Sequence, residues 1–271
     1  MKMILGGNLM LRKKGYLLIL ALIFVFSIST VAGAWWIFGS DEQATWDKVQ
    51  AEGKLVVGMD AAYKPFEYQD KNGEIVGFDV DVLKEVAKKL DIKLDLQNTS
   101  FDGIIPGLQA KKYDLIMSAM TITEERKKAV NFSDPYFNAG QVIAAMGDNS
   151  SVKGVKDLED KIVAVQLGTT GDLKVSEMEG VKEIKRFDTI PEAFIALQNG
   201  QVEAVVNDLP VTAAYIKEHP EVKIVGEPFT TEYYGIAFRK EDTELKEKIN
   251  EALAELKQDG TYDEIYAKWF E

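Results

Sequence analysis

The chain has 271 residues, 46% hydrophobic and 28% charged, with a formal net charge of −12, no cysteine and one histidine. That is an ordinary globular balance with length enough for two lobes. The lack of cysteine excludes disulfides, a thiolate metal site and a lipidated cysteine. A lone His219, in the polar stretch "IKEHPEV", excludes a histidine-based metal site or catalytic triad and reads as a surface residue.

The first 40 residues stand apart. They hold Lys2, Arg12, Lys13 and Lys14 and no acid, and residues 15–38 carry no charge at all. A basic flank before a long apolar run is an export signal or a membrane anchor. Ala32-Gly33-Ala34 suits cleavage. Trp35, Trp36 and Phe38 instead extend the run to about the length of a bilayer core, with aromatics at its edge. Cleavage is slightly favoured, and a start at Met10 would give a signal of normal length. On either reading the rest lies in the periplasm or on the outer face of the cytoplasmic membrane, and on the second it stays membrane-associated through residues 15–38. Four of the 32 basic residues and none of the 44 acids lie in residues 1–40, so the remainder balances 28 against 44. A body that acidic makes a poor nucleic-acid binder.

From Lys54 onward, short apolar strands alternate with amphipathic helices. Residues 54–60 read as a strand. Residues 78–90 read as a helix, with Val82, Leu83, Val86 and Leu90 at helical spacing. Residues 93–97 are a strand, 101–112 a helix and 113–120 a buried strand. This βαβαβ pattern predicts a parallel sheet covered by helices. Residues 137–147 form a further strand. The pattern then restarts: "KIVAVQLG" (161–168) echoes "KLVVGMD", and "LQNGQVEAVVNDLP" (197–210) echoes "LQAKKYDLIMSAMT" (108–121). In that alignment Ser118 falls on Asn207, Ala119 on Asp208 and Asp60 on Leu167. Two echoes in the same order suggest two lobes of related fold. A strand over 233–240 and a helix from Thr243 follow, the helix having Leu245, Ile249, Ala252, Leu253 and Leu256 on one stripe. Gly260 would cap it before a second, aromatic-rich helix.

In open α/β sheets ligands bind beyond the carboxyl ends of strands. Asp60, Ser118, Thr169 and Asp208 lie at or just past such ends, two in each half. If the halves face each other, these polar ends converge on one cleft. Thr123 before Glu124 and Glu125 marks a helix start and puts Arg126 in the first turn, an unfavourable place for a cation. The side chain is either a surface ion pair with Glu124 or a guanidinium aimed at a carboxylate through two parallel hydrogen bonds. Gly168, Thr169, Thr170 and Gly171 join a strand to a helix, where free N–H groups suit an anion. Tyr63 and Phe101 each follow a strand; they either pack in the core or flank a ligand's side chain.

In order, "VGMDAAYKPFEY", "GFDVDVLKEVAKKL", "FDGIIPGLQAKKYDL", "TITEERKKAVNFSDPY", "GTTGDL" and "DGTYDEIYAKWF" resemble the family-3 solute-binding proteins, the periplasmic amino-acid-binding proteins of ABC transporters. The resemblance spans about four fifths of the chain. It implies a two-lobe α/β fold of type II with two hinge-connecting strands. Lobe 1 would comprise residues 41–138 and 234–271, lobe 2 residues 139–233. It implies a free amino acid as ligand, an ABC permease as partner, a monomer and no cofactor. By position, Arg126 would clamp the α-carboxylate, with Thr121 and the backbone around Ser118, Ala119, Thr169 and Thr170 adding donors. Asp208 would take the α-ammonium, Tyr63 and Phe101 would flank the side chain, and Asp60 would read its far end. An acid at Asp60 disfavours glutamate and aspartate. Glutamine binders carry lysine at Gln166 and histidine at Asn207, so arginine is favoured, with glutamine and lysine next. Two further readings are a dehydratase on the same scaffold, for which Gly171 stands where an acid is wanted and Asp172 is adjacent, and a sensor lobe, for which a following membrane segment is expected and the chain instead runs to Glu271.

Overall fold

The computed structural model describes residues 44–271. The expected export segment, with residues 15–38, lies outside them. Among the described residues no helix is long and apolar enough to cross a membrane.

Helix α1 (Thr45–Glu52) leads into β1 (Lys54–Met59). A meander of β2 (Ala62–Tyr63), β3 (Glu67–Gln69) and β4 (Ile75–Val76) follows. Then come α2 (Phe78–Lys89), β5 (Lys93–Asn98), α3 (Phe101–Gln109), β6 (Leu115–Ile116), α4 (Glu124–Ala129) and β7 (Asn131–Phe132). β8 (Phe137–Ala139) passes the chain to β9 (Gln141–Met146). After it stand β10 (Ile162–Gln166), α5 (Thr170–Ser176), β11 (Glu183–Phe187), α6 (Ile190–Gln198), β12 (Ala204–Asp208), α7 (Leu209–Glu218) and β13 (Val222–Val225). The return runs through β14 (Glu232–Tyr234) and β15 (Ala237–Phe238) to α8 (Thr243–Gln258) and α9 (Thr261–Phe270).

Two five-stranded sheets result, in the orders β5-β1-β6-β15-β7 and β11-β10-β12-β9-β13. β1 runs parallel to β5 and β6, and β10 parallel to β11 and β12; an antiparallel strand, β15 or β9, then pairs with β6 or β12. The two sequence echoes therefore correspond to two sheets of one topology. β8 and β14 pair antiparallel between them, as the two connecting strands. Parallel strands need both faces covered. On the first sheet α2 does this with Val82, Leu83 and Val86 fully buried, and α8 packs its predicted stripe of Leu245, Ile249, Ala252, Leu253 and Leu256 alongside. Each such leucine or isoleucine contributes about 1.5–3 kcal/mol.

Three strand predictions need correction. Residues 113–120 form a strand only at Leu115–Ile116. Met117 to Met120 are buried but leave the ladder, with Ala119 at φ 42. An apolar run reports burial, and burial alone does not distinguish a strand from a packed loop. Residues 137–147 divide into β8 and β9 at Gly140, which passes so close to Thr230 that a Cβ would lie 2.4 Å from its carbonyl oxygen. Residues 233–240 divide into β14 and β15, because the chain leaves the connecting ladder for the first sheet. Gly260, expected to cap α8, lies at φ 83 between α8 and α9. His219 is half-buried at the end of α7, its ring stacked on Tyr215 with 4.1 Å between centroids.

Gly77 precedes α2 at φ 144, and a Cβ there would fall 2.0 Å from the Phe66 carbonyl oxygen. Gly53 is also left-handed, at φ 60, but a Cβ would meet nothing within 4 Å. Gly53→Ala should therefore cost only the backbone strain, about 1–2 kcal/mol. Gly77→Ala should cost more than about 3 kcal/mol, since backbone must move as well. Urea midpoints at unchanged m-value measure both.

Candidate functional site

The carboxyl ends of β1, β6, β10 and β12 converge on one cavity. Its wall is Tyr63, Phe101, Ala119, Thr121, Arg126, Gln166, Thr169, Thr170 and Asp208. All nine were singled out from the sequence. The other two, Asp60 and Ser118, sit behind the wall rather than on it. Both are buried, and the Asp60 N–H donates to Ser118 Oγ at 2.9 Å.

Arg126 owes its position to the start of α4. The Thr123 hydroxyl accepts from the Arg126 N–H at 3.1 Å, which fixes the first turn. From there Nη1 donates to the Thr121 carbonyl at 2.7 Å and Nη2 to the Gly168 carbonyl at 3.2 Å, so the guanidinium spans the two lobes. Its carbon lies 5.2 Å from the centre of the Phe101 ring, within cation–π range. The surface ion pair with Glu124 does not form; Glu124 takes Lys127 at 2.8 Å instead. Burial lowers the guanidinium pKa while Asp208 and Glu232 raise it, and arginine keeps its charge.

Asp208 ends β12 and is 4% exposed. Its Oδ2 lies 2.8 Å from the Tyr63 hydroxyl and accepts from Tyr234; its Oδ1 accepts from Gln141 Nε2. Burial and the neighbouring Glu232 carboxylate push its pKa up to about 7, against the two tyrosine donors and Arg126. Tyr63 is thus tied across to β12, with Asn207 Oδ1 2.9 Å from the same hydroxyl. Glu232 is the largest omission from the sequence reading. Its Oε2 accepts from Thr121 at 2.6 Å and from Thr170 at 2.7 Å, one hydroxyl from each lobe.

The other end of the cavity is set by Gln166. Its Nε2 donates to Asp60 Oδ2 at 2.5 Å and to the Asp188 carbonyl at 3.0 Å. That fixes the amide and leaves Gln166 Oε1 a buried acceptor with no partner. Burial raises the Asp60 pKa to about 6; the Gln166 hydrogen bond opposes this and Asp102 adds to it. Thr169 caps α5, accepting from the Asp172 N–H at 3.2 Å.

Glu232, Tyr234 and Gln141 complete the site without having been singled out, and Asn207, met only as a position where glutamine binders differ, joins them. Their mark in the sequence was slight: an acid before two tyrosines in "TEYYGIAF", and a lone glutamine opening the apolar "QVIAAM". Among the described residues no group of histidines, cysteines and acids could hold a metal ion.

Asp208 has a raised folded pKa, so protonation favours the folded state. Its contribution is full below the unfolded pKa and fades as pH rises through about 7. Asp208→Asn removes that loss, and both tyrosine hydroxyls can turn to accept from the amide. The ligand-free variant should melt above wild type at pH 8, by about 2–4 °C per kcal/mol gained, and should match it near pH 4. Calorimetry at the two pH values checks this.

Over residues 55–271 the chain matches the family described as bacterial extracellular solute-binding proteins, family 3. ABC transporter arginine-binding protein 1 of Escherichia coli (strain K12) is 36% identical over 225 residues, covering 81% of this chain and 92% of that protein. A crystal structure of a mutant ArgBP from T. maritima superposes with a TM-score of 0.81 at 49% identity, covering 83% of this chain and 99% of that one. An ancestral arginine-binding protein bound to glutamine superposes with a TM-score of 0.78 at 53% identity, covering 80% and 98%. The architecture they share is the two-lobe, type II periplasmic-binding-protein fold. With matching family, topology and strand-end cleft, the chain belongs to the bacterial extracellular solute-binding proteins, family 3.

Proposed function

We propose that the domain captures one free amino acid, arginine before glutamine or lysine, and delivers it to an ABC importer. Capture occurs outside the cytoplasmic membrane, as the lobe of residues 41–138 and 234–271 closes on the lobe of residues 139–233. The α-carboxylate meets Arg126, with Thr121, Thr169 and Thr170 beside it. The α-ammonium meets Asp208. The side chain runs past Tyr63 and Phe101 toward Gln166.

The observation that carries this reading is Gln166 Oε1, an unpartnered acceptor on the wall with the Asp60 carboxylate behind it. A side chain ending there must donate hydrogen bonds. Guanidinium, ammonium and amide ends do so, and a carboxylate end would be repelled. Positive charge is favoured further because Asp60, Asp208 and Glu232 outnumber Arg126 around the cavity. Catalysis finds less support. Asp172, the acid nearest the place a dehydratase would want one, is off the cavity wall, where Oδ1 accepts from Arg186 Nε at 2.8 Å.

In a thermal-shift screen of the common amino acids and ornithine, arginine should raise Tm most. At about a thousandfold over Kd the gain is about 4 kcal/mol, read at about 2–4 °C per kcal/mol. Arg126→Ala should abolish the shift for every amino acid. Asp60→Asn should change which one wins. If arginine gives no shift while a neutral apolar amino acid does, the assignment is wrong.

Acid should weaken binding. A bound cation favours ionised Asp208 and Asp60, whose pKa values are raised to about 7 and about 6. The affinity for arginine should therefore rise with pH to about neutrality and level off above it, falling at lower pH by up to about tenfold per unit for each proton that must leave. Titration calorimetry between pH 5 and 8.5 reads the slope, and a flat profile would remove both carboxylates from the role of counter-charge.

A further inference from the structure

Beneath the cavity, on the first lobe, Glu67 of β3 and Asp79 of α2 are both fully buried neighbours, each carboxyl acting on the protonation of the other. Every oxygen but two has another partner. Ser118 Oγ donates to Glu67 Oε1 at 2.7 Å. The Ala119 N–H and the Tyr136 hydroxyl donate to Asp79 Oδ2 at 3.0 and 2.7 Å. The two left over are Glu67 Oε2 and Asp79 Oδ1. Two buried carboxylate oxygens cannot satisfy each other, since neither donates. Only a proton between them does.

We infer that Glu67 is a protonated acid whose hydroxyl donates to Asp79, and that this shared proton positions Ala119 on the cavity wall and Ser118 behind it. Asp79 is the charged partner because two donors already converge on its other oxygen, whereas Glu67 receives one. The consequence reaches the site by short steps. Ser118 both donates to Glu67 and accepts from the Asp60 N–H at 2.9 Å. Ala119 lies on the cavity wall at φ 42, a conformation costly for a residue with a Cβ, and its N–H is held by Asp79. Among the titratable groups facing the pair, Asp60 at the end of β1 disfavours a second negative charge there, the Tyr136 hydroxyl donates to Asp79, and Tyr63 of β2 and Tyr262 stay neutral phenols, their pKa values raised by burial and the nearby acids. Burial raises the Glu67 pKa well above the ordinary carboxylate range, with Asp79 the next cause. Glu67 is a positioning residue; it does not touch the cavity.

Counting protons gives the test. In Glu67→Gln the amide N–H₂ replaces the acid's O–H toward Asp79, and in Asp79→Asn the amide donates toward an ionised Glu67. Either single variant keeps every hydrogen bond. In Glu67→Gln/Asp79→Asn the two amide oxygens must still accept from Ser118 and Ala119, so two N–H₂ groups confront each other. Each single variant should melt near wild type and bind arginine within about threefold; the double variant should melt below both and bind more than about tenfold more weakly. Were the pair two mutually repelling carboxylates, each single amide would remove that repulsion and melt well above wild type, which would overturn the inference. The infrared difference between wild type and Glu67→Gln at pH 8 should contain the carbonyl band of an un-ionised carboxylic acid; a carboxylate band in its place would also overturn it. At alkaline pH wild type should lose stability as the shared proton leaves, and Glu67→Gln should not. The arginine measurement rests on the amino-acid-binding reading, while melting and infrared data do not, so failure of one is distinguishable from failure of the other.

Discussion

A single guanidinium among buried carboxylates is the condition to which the rest of the cleft responds. Arg126 is the cationic side chain on the cavity wall among the described residues, and Asp60, Asp208 and Glu232 lie around it with almost no exposure. Buried charge is costly unless it is paired and hydrogen-bonded. The surroundings are accordingly rich in donors: Tyr63, Tyr234 and Gln141 on Asp208, Thr121 and Thr170 on Glu232, and Gln166 on Asp60. These groups come from strand ends of both sheets and from a connecting strand. Their convergence explains why strands of apolar sequence finish in polar residues at one edge.

That edge was readable in the sequence because it rests on local rules. An acid at the end of an apolar run, a threonine before two glutamates and a glycine-bounded pair of threonines each announce a strand end or a helix start. Repetition of the pattern suggested two sheets. Side chains such as Asp208 and Arg126 could be gathered by topology alone, since open sheets gather their carboxyl ends. What stayed hidden depends on long-range pairing. Glu232 stands 111 residues from Thr121, and Tyr63 lies 145 residues from Asp208. Nothing near Glu232 in the chain distinguishes a cleft residue from an acid on an exposed strand. Asp60 and Gln166 were both picked out, but not their order in depth. Which of two polar groups lines a cavity and which stands behind it is decided by packing across the lobes, and no spacing along the chain records it.

The connecting strands are embedded in aromatic packing. Phe137 of β8 lies with its ring 4.8 Å from Phe66 and 4.9 Å from Phe270 of α9, while Tyr234 of β14 stands 5.2 Å from Phe66. Offset and edge-on contacts of this kind add to the area buried. The C-terminal helix is thereby packed against the place where the chain passes between lobes. Tyr234 joins the two systems, since its ring belongs to this cluster and its hydroxyl to Asp208.

Glu232 has a consequence of its own. It sits on a crossing strand and grips one hydroxyl from each half of the molecule, at 2.6 and 2.7 Å, through a single oxygen. Together with the Arg126 contact to the Gly168 carbonyl, this fastens the two halves through the protein's own groups. A clasp of that sort divides the work of retention between guest and host. Opening the cleft then means undoing the protein's own latch, and not merely losing the guest.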